Sequence, residues 1–246
     1  MIPREGDAKR HGRVSTPYAQ AVSPSATQLD GGSVAPTDGR LARDYADAVA
    51  ELARNPSAVF RVLVQEHFDH AGSGWPENTR AEVRRVEGGY RLTPRHEGFV
   101  AVGAPLGAPV RDVVVSATFV KLGGRPGGAF GLVIRDQLPT QRDALNTLGH
   151  FYVAEIDDSG EVAILQREHD RWQPLAVSSG PSAVHVAGGR TELTLEAVGP
   201  RLTFLVNGSA VASTHDAVLD RGGVGVFVGG LDNDVLVERF VVHSFI

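Results

Sequence analysis

Two acidic residues, Glu155 and Asp157, close the run Phe151-Tyr152-Val153-Ala154-Glu155-Ile156-Asp157. On an extended strand, residues i and i+2 project from one face. The pair therefore offers what a retaining glycosidase needs, two carboxyls about 5–5.5 Å apart, one the acid and one the nucleophile. Against this, Asp157-Asp158-Ser159-Gly160 is also an ordinary polar hairpin tip, and the next acid, Glu161, falls beyond that turn. Aromatic residues offer a second chemistry, because a flat ring stacks on the apolar face of a pyranose while polar neighbours bond its hydroxyls. Trp75, Tyr90, Tyr152 and Trp172 are the rings with polar tips, and core or rim packing is the competing reading for each. A binding face would combine Arg135, Tyr152, Glu155 and Trp172, with Trp75 contributed from a Gly-Ser-Gly-Trp-Pro loop. Arg135 and Glu155 could equally form an ion pair on a sheet.

Other chemistries find less support. The chain has no cysteine, so disulfides, thiolate metal sites and cysteine nucleophiles are excluded. Nine histidines show no His-x-His or His-Glu-x-x-His spacing, and no Gly-x-Ser-x-Gly elbow is present. Asp232-Asn233-Asp234 carries oxygen ligands suited to calcium but reads as a solvated turn, since calcium takes six to eight of them. The glycine-rich stretch Gly123 to Gly128 lacks the Gly-Lys-Ser/Thr and following helix of a phosphate loop, so it reads as a strand connection. A net charge of −5 without a basic stripe argues against nucleic acid. No run reaches the ~20 apolar residues of a membrane helix. The basic N-terminus (Arg4, Lys9, Arg10, Arg13) is not followed by the apolar core of a secretory signal. The chain as it stands reads as cytoplasmic, or as extracellular if it belongs to a longer secreted or anchored polypeptide.

The elements that must position these residues are strands. Residues 1–40 are rich in Ser, Thr, Pro, Gly and Ala and read as a disordered tail or tether. Residues 41–56 hold a short helix: Leu41, Tyr45, Ala48, Val49 and Leu52 recur at three- and four-residue spacings, Asp38 is a candidate N-cap, and Asn55-Pro56 ends it. From there the period changes to two. Strands are expected at 61–69, 82–86, 89–94, 98–103, 110–121, 128–136, 150–157, 161–167, 171–176, 190–198, 201–206, 209–214, 222–229 and 234–245. Short turns such as Gly199-Pro200 and Asn207-Gly208 join them, which dictates antiparallel pairing. Residues 138–148 form a longer insertion between two strands, suited either to binding or to covering an edge.

The order of landmarks resembles the concanavalin A-like lectin/glucanase jelly rolls, in particular bacterial laminin-G-like and DUF1080-type (3-keto-disaccharide hydrolase-like) modules. The landmarks are Glu66-His67-Phe68-Asp69 with Gly74-Trp75, Gly88-Gly89-Tyr90-Arg91-Leu92, Gly131-Leu132-Val133-Ile134-Arg135 and Phe151-Tyr152-Val153-Ala154-Glu155-Ile156. Arg171-Trp172-Gln173-Pro174-Leu175, Leu202 to Gly208, Gly223-Val224-Gly225-Val226-Phe227 and Val237 to Val242 continue the series. The resemblance covers about residues 60–246, within a sandwich domain expected over 57–246, and implies an all-β jelly-roll sandwich of two antiparallel sheets, one concave, with glycan-binding, protein-binding and glycan-cleaving relatives. The glucanase branch carries a Glu-x-Asp-x-x-Glu strand, of which this chain keeps only Glu155 and Asp157. Relatives hold a structural calcium between first and last strands, for which Asp69 and Glu238 are the candidates here. The usual Phe-Asp-Asn-Phe run is Val237-Glu238-Arg239-Phe240 in this chain. The resulting expectation is a non-catalytic module that recognises a carbohydrate or protein ligand on its concave face. A module docking into a larger assembly through residues 1–54 is the alternative, and a hydrolase built on Glu155 and Asp157 is the third.

Overall fold

Period-two alternation builds fourteen strands in the computed structural model, which describes residues 60–70, 73–79, 82–95, 98–137, 149–179 and 189–245. The tail 1–40, the helix expected at 41–56 and the insertion 138–148 lie outside the described residues. In chain order the strands are β1 (Phe60–Glu66), β2 (Val83–Val86), β3 (Gly89–Leu92), β4 (Phe99–Gly103), β5 (Val113–Gly123), β6 (Ala129–Asp136) and β7 (His150–Asp157). They continue as β8 (Glu161–Glu168), β9 (Arg171–Ser179), β10 (Arg190–Val198), β11 (Arg201–Val206), β12 (Ser209–His215), β13 (Gly223–Gly229) and β14 (Asp234–Phe245). Each expected strand is present. The first stops at Glu66 rather than residue 69, because Phe68 takes a positive φ of 61° and the chain turns away from the sheet. Asn207 (φ 49°) and Gly208 (φ 78°) make the tight hairpin that their pairing requires.

The strands form two antiparallel sheets. One has eight strands in the order β12-β11-β10-β5-β14-β3-β2, with β1 pairing the C-terminal half of β14. The other has six, in the order β4-β13-β6-β7-β8-β9. This is the jelly-roll sandwich expected from the sequence. Its core interleaves Val113, Val115, Ala117 and Phe119 of β5 with Phe130, Leu132 and Ile134 of β6 and Val162 and Ile164 of β8. The larger sheet alternates buried with half-buried residues along β5 and β10, as a sheet with one core face should. The smaller sheet does not: β6 is buried at every position, and β8 at all but its two ends. Both of its faces are covered.

One end of the sandwich is closed by polar contacts. Arg91 holds Asp234 through Nε–Oδ1 at 2.7 Å, with Thr93 Oγ1 at 3.1 Å, and Arg95 and Arg125 flank Asp232 at 2.8 and 3.0 Å. Between them Asn233 is fully buried, and its Nδ2 donates to the carbonyls of Ala129 and Gly229, both at 2.9 Å. Only glycine fits beside it, since a Cβ on Gly128 would sit 2.5 Å from the Asn233 side chain. The segment Asp232-Asn233-Asp234 is thus a turn whose middle residue is buried and whose half-exposed carboxylates are clasped by arginines, rather than a freely solvated turn. Asn233→Asp would remove both donors and set a carboxylate against carbonyl oxygens. Urea unfolding should show a loss of about 3 kcal/mol or more, exceeding that of Asn233→Ala. Equal midpoints for Asn233→Asp and the parent protein at neutral pH would contradict this account of the clasp.

Candidate functional site

On the six-stranded sheet, even-numbered residues of β6, β7 and β13 point to the core, so odd-numbered ones share the opposite face. Phe151, Val153 and Glu155 of β7, Gly131 and Val133 of β6, and Gly225 and Phe227 of β13 lie there. Phe99, Ala101, Val133, Phe151, Val153 and Phe227 form a second apolar cluster, against which Trp172 of β9 packs half-buried. Trp172 stands edge-on to Phe99 at 5.5 Å, to Phe227 at 5.7 Å and to Phe151 at 6.1 Å. Phe99 lies on β4 and Trp172 on β9, the two edge strands of the same sheet. In a flat six-stranded sheet those edges are about 24 Å apart. The sheet is therefore curled so that rings from its margins meet over small residues. At Gly131 and Gly225 a Cβ would lie 2.0 and 1.9 Å from a neighbouring carbonyl oxygen, so no side chain can stand there.

Among the described residues, two buried charged residues lie on this hollow face. Arg167 of β8 sets its guanidinium 4.8 Å from the Trp172 ring centre and 5.2 Å from that of Phe99. Each such contact contributes about 0.5–2 kcal/mol, towards the upper end when desolvated as here. Arg167 is 6% exposed and Glu155 5%. The hollow thus combines an aromatic floor with one cation and one carboxylate.

The residues expected to bind together are divided by the fold. Glu155 and Trp172 are on the hollow face, but Tyr152 points into the core, its hydroxyl bonded to the Asp216 carboxylate and accepting from the Leu219 amide at 3.0 Å. Burial, then the Asp216 bond, push the Tyr152 phenol above its ordinary range. Arg135, with a positive φ of 54°, turns its guanidinium onto the carbonyls of Leu219 (2.7 Å) and Gly199, and burial lowers its pKa. Arg135 and Tyr152 therefore fasten the β12–β13 connection instead of joining Glu155. Trp75 is 4% exposed inside the main core, 5.2 Å from Phe68 and 5.0 Å from Phe240.

The candidate acids are dispersed in the same way. Asp157 caps its own hairpin, Oδ1 accepting from Ser159 N (2.8 Å), Ser159 Oγ (2.7 Å) and Glu161 N (2.9 Å). Asp69 is exposed beside His70 at 3.7 Å. Glu238 is held by Arg190 at 2.6 and 3.0 Å, on the β10 side of β14, whereas β1 lies on the other side. Asp69 and Glu238 do not converge, and among the described residues no group of three or more His, Asp or Glu could hold a metal ion. These residues do not fit a calcium ion, which needs six to eight oxygens. Of the hollow, the sequence offers only Glu155 and Trp172 as binding residues; Arg167 and the phenylalanines Phe99, Phe151 and Phe227 are not among its candidates.

No protein-family model matches the chain, and no curated protein matches it. Solved structures do. A Bacillus subtilis protein of unknown function with a galectin-like fold superposes with a TM-score of 0.59 at 12% identity, covering 75% of this chain and 96% of that one. The κ-carrageenase of Pseudoalteromonas carrageenovora, solved with a κ-carrageenan oligosaccharide, gives 0.54 at 8% identity over 76% and 96%. The carbohydrate-binding module CBM66 from Bacillus subtilis gives 0.52 at 18% identity over 75% and 95%. At these identities the likeness concerns the fold: this chain is built as a jelly-roll sandwich of the kind found in carbohydrate-binding modules and glycan hydrolases.

Proposed function

We propose that this protein is a non-catalytic recognition module that takes a carbohydrate on the hollow face of its six-stranded sheet. The observation that carries the reading is Trp172. It is half-buried, braced edge-on by three phenylalanines and backed by Arg167, with Glu155 on the same face. A ring fixed in this way can offer a rigid stacking surface at little entropic loss, while a guanidinium and a carboxylate bond hydroxyls in a plane beside it. Binding rather than cleavage is favoured because Asp157, the partner Glu155 would need, has its carboxylate tied into the hairpin by three donors. Carbohydrate-binding neighbours of the same fold support the ligand class, and the order of landmarks in the sequence is what supports a laminin-G-like or DUF1080-type module.

Titration against β-1,3-glucan and κ-carrageenan oligosaccharides, with and without calcium, tests the reading. Trp172→Ala should weaken binding at least tenfold, about 1.4 kcal/mol or more, while Trp172→Phe keeps part of it. Calcium should make no difference. Unaltered affinity in Trp172→Ala, with the fold intact by circular dichroism, would remove the hollow from consideration. A separate assay for reducing ends should show no release of sugar by the parent protein. Release that disappears in Glu155→Gln would replace the binding reading with a hydrolase.

A further inference from the structure

One place on the surface carries chemistry that neither the core nor the hollow uses. Of the chain's asparagines only Asn207 precedes a glycine, and Asn207 and Gly208 are both exposed at the tip of the β11–β12 hairpin. No side chain shields the Gly208 nitrogen, and a Cβ built at Gly208 would meet nothing within 4 Å. An asparaginyl-glycyl linkage is prone to close on itself. The backbone nitrogen of Gly208 attacks Cγ of Asn207, an N–Cγ bond forms, and the Cγ–Nδ2 bond breaks, the Gly208 proton leaving with Nδ2 as ammonia. Water then opens the cyclic imide at either carbonyl, giving aspartate or isoaspartate. Water is the one co-reactant.

The native turn holds the reacting atoms apart. Positive φ at both central residues, 49° and 78°, makes it a type I′ turn, in which ψ of the first is about +30°. Around the Cα–C bond of Asn207 the Gly208 nitrogen then stands roughly 150° from Cβ, nearly anti, whereas ring closure needs the two eclipsed. The tip is also tied to a third strand. The backbone N–H of Asn207 donates to the Glu192 carbonyl of β10 at 2.8 Å, and the Glu192 N–H donates to Asn207 Oδ1 at 2.9 Å. Rotating ψ far enough to close the ring swings Gly208 out of the turn and breaks the Val206–Ser209 pairing. The start of β12 must move with it, and that stretch is fastened to β9, where Ser178 Oγ donates to the Val211 carbonyl at 2.7 Å.

We propose that Asn207-Gly208 is a self-modification site gated by β12, shut while the hairpin is formed and converted when it opens. The isoaspartate product carries the main chain through Cβ, one atom longer, which a two-residue loop of fixed register does not absorb. An opening is thereby recorded irreversibly, with the start of β12 detached. The aspartate product keeps the main-chain path, and its carboxylate still accepts from the Glu192 N–H, so that hairpin re-forms.

Mass spectrometry of the full chain tests this, because trypsin releases Asn207 in the peptide Leu202–Arg221, which holds no other asparagine. The exchange of amide for carboxyl is followed in that peptide after incubating the native chain, and the same chain in guanidinium chloride, at one mildly alkaline pH. Conversion in the native chain should be at least tenfold slower, as for a step that waits on a rarely populated open form. Equal rates overturn the gating, and no conversion in guanidinium overturns the site itself. Ser178→Ala frees the start of β12 without touching the reacting residues. It should speed conversion in the native chain roughly two- to tenfold, in line with the loss of one hydrogen bond, and leave the rate in guanidinium unchanged. No change in the native chain, or an equal gain in both, contradicts the route through β12. The isoaspartyl protein, separated by ion exchange, should lose hydrogen-exchange protection along Ser209–His215, whereas Asn207→Asp keeps it. Protection retained in the isoaspartyl protein overturns the record of opening. Equal loss in Asn207→Asp would assign the effect to the added charge, and likewise overturns it.

Discussion

A sheet that is apolar on both sides cannot end in water on either. The six-stranded sheet meets this condition along β6 and the middle of β8, whose residues are buried whichever way they point, and the architecture follows from it. One face is satisfied by the eight-stranded sheet, which brings Phe119, Leu193, Leu195 and Phe240 to the shared core. The other curls until rings from β4 and β9 touch, and still holds Phe151 and Phe227 out of solvent. Hydrophobic burial of this size, about 1.5–3 kcal/mol for each large side chain, is too much for a fold to leave to water.

The same condition makes the hollow a selective surface. Gly131 and Gly225 admit no side chain in its middle, aromatic rings meet over them, and its buried charges are few. A cation between two rings interacts through a low dielectric, so the Arg167 contacts are stronger than they would be at an open surface. Anything that fits must present a flat apolar side and a polar edge. A pyranose does so.

The strands were legible because alternation and turn chemistry are local: Asn207-Gly208 fixed a hairpin, and the period of two located each strand. The hollow was only half legible. Parity along β7 separates Tyr152 from Glu155, three positions apart, so the two could not share a face. Arg135 defeats parity as well, because the register shift between Gly223 and Val224 of β13, together with its positive φ, swings it out of the row formed by Gly131 and Val133. Arg167 was missed because it sits in Gln166-Arg167-Glu168, just before a charged turn, where a strand end looks solvated. Its ring partners come from β4 and β9, strands that only the curl of the sheet brings together. Trp75 occupies a glycine loop that looked open, yet that loop folds inward onto Phe68, Tyr90 and Phe240. The Asp232 to Asp234 segment likewise looked solvated, since the partners of its carboxylates, Arg91, Arg95 and Arg125, lie more than a hundred residues upstream.

The touch between Phe99 and Trp172 has a mechanical meaning. Opposite margins of one sheet are buttressed against each other by side chains, as the ends of a bent bow are held by its string. The radius of the hollow is then set by the bulk of a few rings rather than by backbone twist alone. A guest that wedges between those rings would push the two margins apart, and the displacement would be carried by β13, β6, β7 and β8, the strands that join them.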